Sequence, residues 1–103
     1  MAKTIGRNTN TTDVATLSSA IALNSTTSVK VADALPDRIN FTISNPENKD
    51  VWLKFQAASV DNDKKGIFVP KNAFYEMPTD NIYTGEISAI AVSGTPSVYV
   101  TEY

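Results

Sequence analysis

The chain has 103 residues, of which 42% are hydrophobic and 19% charged, with a formal net charge of −2; that is the size of one domain with one modest core. Nine Lys and Arg are scattered along the chain against eleven Asp and Glu, so the sequence offers no basic face for a nucleic-acid backbone. Cysteine and histidine are both absent. Their absence excludes disulfides, thiolate metal sites and cysteine nucleophiles, and removes the commonest general base and metal ligand.

In chain order, residues 1–26 differ from the rest. "TNTTDVATLSS" is rich in Thr, Asn and Ser, with Ile5, Val14, Leu17 and Ile21 as isolated apolar residues. Val14, Leu17 and Ile21 are spaced for one helical face, and Thr12 or Asp13 could cap it, but the β-branched Thr content opposes a helix. The segment reads as an extended or flexible arm. No apolar core followed by a cleavage site marks a secretory signal, and no run of about 18 apolar residues marks a membrane span. The expectation is a chain made in the cytoplasm.

From residue 27 to 103 the period is two, the signature of strands with one buried and one wet face. "SVKVA" sets Val29 and Val31 against Lys30. "INFTIS" sets Ile39, Phe41 and Ile43 inward, with Asn40 and Thr42 outward. "VWLKFQ" sets Val51, Leu53 and Phe55 inward, with Trp52 and Lys54 outward. "GIFVP" and "AFYEM" are shorter candidates bracketed by Gly66, Pro70 and Pro78. "EISAIAV" and "SVYVTEY" flank "SGTP", where Gly94 can take a positive φ, so the last two strands are expected to pair as a hairpin. Turn signals at intervals of about ten residues predict an all-β domain, a small antiparallel β-sandwich or jelly-roll-like barrel of about seven strands.

The motifs that could carry chemistry are thin. "DNDKKG" (61–66) starts like a calcium loop, with Asp61, Asp63 and Gly66 in place. Lys65, however, occupies a ligand position, and Asn72 stands where the closing bidentate Glu belongs. The stretch is better read as a solvated turn. Glu76 and Asp80 flank another turn with no second carboxylate placed opposite either. Ser and Thr are plentiful, but no GxSxG elbow occurs and no His could activate one. No catalytic, cofactor-binding or metal-binding residue is nominated, and the chain is expected not to be an enzyme.

The aromatics are more informative. Phe41, Phe55, Phe68 and Phe74 are expected in the core. Trp52 and Tyr99 lie opposite the apolar alternation of their strands, and Tyr103 shares the parity of Tyr99. Trp and Tyr are favoured at interface centres. Ile5, Val14 and Leu17 of the arm, with Trp52, Tyr99 and Tyr103, are therefore the expected protein–protein contact residues. Ile87, Ala89 and Ala91 alternate with Ile90 and Val92, so this strand is apolar on both faces and is expected between two layers or under a neighbouring subunit.

The stretch from Arg38 to Tyr103 resembles a group of small tailed-bacteriophage virion proteins. The matching residues are Arg38 with "ISN" (43–45), "VWL" (51–53), "YTGEISAI" (83–90) and "VYVTEY" (98–103), and they span about two thirds of the chain. Where such proteins carry a Gly between strands, this chain has "VPKNAFYEM". The resemblance implies a non-enzymatic structural role on the particle. The expected role is a capsid decoration (cement) protein on the outer head surface, with the major capsid protein and neighbouring copies as partners and with no nucleic acid, membrane or cofactor. Alternatives of the same kind are a head–tail completion protein or a host- or glycan-binding module of a fibre or tail, in which Trp52 or Tyr83 would stack on sugar.

Overall fold

The computed structural model describes residues 16–60 and 63–102. Within them lie nine β-strands and no helix: β1 (Thr16–Leu17), β2 (Ile21–Ala22), β3 (Val29–Ala32), β4 (Phe41–Asn45), β5 (Val51–Lys54), β6 (Ile67–Val69), β7 (Ala73–Glu76), β8 (Ile87–Ala91) and β9 (Ser97–Glu102). They form two antiparallel sheets. In the first, β1 and β2 both pair with β9, which pairs with β4, which pairs with β7; the second runs β3-β8-β5-β6.

The pairings nest. β5 pairs with β6, β4 with β7, β3 with β8, and β1 and β2 with β9. Such nesting is one long hairpin, closed at β5 and β6, wound so that successive strand pairs fall alternately in the two sheets. That is the jelly-roll arrangement of a β-sandwich. β1 and β2 act as one interrupted strand. Between them Ser18 bonds Val100 twice, its N–H donating to the Val100 carbonyl at 2.8 Å and its Oγ accepting from the Val100 N–H at 2.9 Å. A side-chain oxygen thus stands in for a backbone carbonyl and keeps the β9 ladder satisfied. These strands fall within residues 1–26, and Leu23, just beyond β2, is buried in the core.

The core follows the alternation. Phe41 and Ile43 of β4, Val51 and Leu53 of β5, Val69 of β6, Ile87, Ala89 and Ala91 of β8, and Val98 and Val100 of β9 meet between the sheets, with Met77 beside them. Three expectations need correction. β8 and β9 are not a hairpin, since β8 pairs with β3 and β5 while β9 lies in the other sheet. Residues 92–96, with Gly94 at φ +70°, carry the chain across the sandwich instead. The apolar faces of β8 and β9 are then buried against each other rather than side by side.

Phe68 and Phe74 are not core; they are 46% and 68% exposed. In β6 and β7 the inward positions belong to Ile67, Val69, Ala73 and Tyr75. Asn40, expected outward, is buried at the start of β4, where its Oδ1 accepts the Phe41 N–H at 2.7 Å.

The corner between β6 and β7 is made by Pro70, Lys71 and Asn72. Asn72 has φ +59°, a left-handed conformation that Asn tolerates better than most residues. It supplies the turn that a Gly would otherwise make. The corner is fixed to the β4–β5 loop, with the Asn72 N–H donating to the Glu47 carbonyl at 3.2 Å and the Lys71 N–H to Asp50 Oδ1 at 2.9 Å.

Candidate interaction surface

The densest polar constellation surrounds Arg38, whose side chain is fully buried. Its Nε donates to Glu102 Oε2 at 2.9 Å, Nη1 to the carbonyls of Tyr83 and Gly85 at 2.7 and 3.1 Å, and Nη2 to the Asp33 carbonyl at 2.8 Å. The guanidinium also lies 5.7 Å from the centre of the Phe41 ring. One planar cation thus holds three loop carbonyls and the last strand together, a use that suits the fixed fork of Arg.

Tyr83 completes the lock. Its ring stacks on Phe55 with centroids 5.1 Å apart and planes 9° from parallel, and its hydroxyl donates to the Glu86 carbonyl at 3.0 Å. A side chain at Gly85 would collide with the Tyr83 hydroxyl. Arg38, "YTG" and Glu102, three of the marks that carry the phage-protein resemblance, therefore meet at one place. What they do there is hold the body together. With its donors committed to carbonyls and to Glu102, Arg38 is not set out for chemistry.

The outer faces of the two sheets differ. On the β3-β8-β5-β6 sheet, Lys54 and Ser88 are cross-strand partners, as are Trp52 and Ile90. All four share the outward parity, yet Lys54, Ser88 and Ile90 are buried. Residues 56–60 and 63–66, after β5, are tied to the ends of the neighbouring strands. The Ala58 N–H donates to Glu86 Oε2 at 3.0 Å, Ser59 and Ser28 form a reciprocal pair at 2.8 and 3.1 Å, and Lys64 Nζ donates to the Ser25 carbonyl at 2.8 Å. The second apolar face of β8 is thus covered by the chain itself. Trp52 packs on Phe68 with centroids 5.0 Å apart at 56°, a tilted pair that offers no flat platform. Beyond the loop, Lys30 Nζ sits 2.6 Å from Asp33 Oδ1, which keeps the ammonium charged to higher pH than usual.

The outer face of the other sheet has no such covering among the described residues. Across it, Leu17, Thr101, Thr42 and Glu76 form one row, and Tyr99, Ser44 and Phe74 form the next. Leu17 is 67% exposed, Phe74 68% and Tyr99 38%. Between these apolar side chains lie hydroxyls only, and Glu76 at the β7 edge is the one charge in the two rows.

Of the expected contact residues, Leu17 and Tyr99 thus share a face. Trp52 lies on the opposite side of the sandwich, and Ile5, Val14 and Tyr103 fall outside the described residues. Phe74 belongs with Leu17 and Tyr99 and was missed. "AFYEM" carries three apolar residues in succession, so the alternation alone does not reveal which of Phe74 and Tyr75 turns outward. Glu76 accepts a 3.4 Å bond from Asn40 Nδ2, and Asp80 is exposed in its turn. Comparison with known protein families, curated proteins and solved structures finds no match to this chain.

Proposed function

We propose that this chain is a non-enzymatic structural protein of a bacteriophage particle, a capsid decoration protein that binds the outer head surface through protein–protein contacts. The observation that carries the reading is the asymmetry of the sandwich. On one outer face Lys54, Ser88 and Ile90 are buried, and the other presents Leu17 and Tyr99 among small hydroxyls with almost no charge. Apolar side chains on a flat, weakly polar face suit association. The resemblance of Arg38, "YTGEISAI" and "VYVTEY" to tailed-phage virion proteins supplies the partner, the major capsid protein.

The face works through number. Each copy buries a modest apolar area worth about 25 cal/mol per Å², and many copies bridging capsid subunits add their contributions along the shell. The body must hold its shape under load, which is what the Arg38 lock provides. Quantitative mass spectrometry of purified particles tests the reading. A copy number equal to that of the major capsid protein, or a simple fraction of it, is expected. Absence from particles, or a handful of copies confined to tail or neck, overturns it. In particles lacking this chain, Leu17→Asp with Tyr99→Ala should abolish re-binding of the added protein while leaving its unfolding midpoint unchanged.

A further inference from the structure

At the β7 edge of the open face, beside Phe74, lies a shallow depression of about 360 Å³ lined by Ser44, Asn45, Pro46, Asn72, Ala73 and Phe74. That volume falls at the low end of small-molecule sites, roughly 300–1,000 Å³. We propose that it binds a neutral sugar ring, at the β7 edge of the same face that is proposed for capsid attachment.

Three properties select that chemistry. First, the Phe74 ring stands exposed beside the depression although the inward positions of β7 go to its neighbours. An aromatic face held out by a short, paired strand suits the C–H face of a pyranose. Second, polar side chains lie beside it. Ser44 and Asn72 border the same space, and Asn72 is held at φ +59° by its own N–H bond to Glu47 and by the β6–β7 corner. A hydroxyl and an amide are groups that pair with sugar hydroxyls.

Third, no charged side chain among the described residues lines the depression, and a phosphate, a carboxylate or a nucleic-acid backbone needs one. Its openness disfavours a wholly apolar ligand, which needs enclosure to gain by desolvation. An extended peptide added to the β7 edge would find a strand of only four residues, ended by Pro78, and so few main-chain bonds. Trp52 and Tyr83 are less suited: one is packed on Phe68, and the other is stacked on Phe55 with its hydroxyl committed.

The test is a ¹⁵N-HSQC titration of the full chain with maltohexaose, cellohexaose and chitohexaose in turn. Dose-dependent shifts are expected for at least one probe, confined to the amides of Ser44, Asn45, Asn72, Ala73 and Phe74, with a dissociation constant on the order of millimolar. Phe74→Ala should weaken binding by about tenfold or more, as loss of an aromatic anchor does, and Phe74→Tyr should retain it. Asn72→Gly keeps the backbone conformation and removes the amide, so it should also weaken binding. No response to any of the three probes, shifts elsewhere, or indifference to Phe74→Ala overturns the proposal. So does protection of these amides by capsids in a protein that answers no saccharide, a result that would leave the decoration role standing.

Discussion

Replacing Arg38 by Met keeps an unbranched apolar stem and removes every charge-assisted bond of the lock. The carbonyls of Asp33, Tyr83 and Gly85 then lose their donor; at about 1 kcal/mol or more for each group left unpaired, the cost is about 3 kcal/mol. Glu102 also loses its partner, but its side chain is 22% exposed. It can turn to water, so it adds less than the full penalty of an orphaned buried charge. A total of about 3–5 kcal/mol is a large fraction of the stability of a domain this size and corresponds to a melting point lower by about 15 °C or more.

Urea unfolding followed by fluorescence of Trp52, the single tryptophan, measures the loss directly. Glu102→Gln alone should cost about 1–2 kcal/mol, the scale of one charge-assisted bond. The double variant should be more stable than the sum of the two losses predicts, by about 1 kcal/mol or more, because the orphaned carboxylate is gone. A loss below about 1 kcal/mol for Arg38→Met, or strict additivity in the double variant, would refute the lock.

Gly66→Ala should cost about 3 kcal/mol in the same assay, because φ is +124° there and a Cβ would strike the Leu53 carbonyl oxygen, backbone that cannot step aside. Phe74→Ser should change stability by no more than about 0.5 kcal/mol, as for an exposed site, whereas Phe41→Ala in the core should cost about 3–5 kcal/mol; equal losses would mean that Phe74 is core after all. Burial raises the Tyr75 hydroxyl above its ordinary 10.0, so the unfolded chain ionises first. Stability is full below pH 10 and falls as the pH rises through the folded value; Tyr75→Phe should remove part of that alkaline loss, and an alkaline unfolding profile identical to wild type would count against it.

The local alternation was enough to place the core. Phe41 and Ile43, Val51 and Leu53, Ile87, Ala89 and Ala91, and Val98 and Val100 point inward as their period of two requires, because successive side chains of a strand must face opposite ways. The same rule turned Trp52 and Tyr99 outward. It failed where strands are short and apolar throughout. Three residues of β6 and four of β7 do not set a phase by themselves, and Phe68 and Phe74 were drawn inward by hydrophobicity alone.

Partnership between strands was beyond the sequence. "SGTP" looks the same whether it turns a hairpin or carries the chain across the sandwich, and only burial of β8 against β9 decides between them. Leu17, Tyr99 and Phe74 come from positions far apart in the chain, and pairing through β9 and β4 is what sets them on one face. Nor could alternation tell that Ile90 would be buried while Phe74 stayed bare. Period two fixes the direction of a side chain relative to its own strand; whether anything lies beyond it is decided by the rest of the chain.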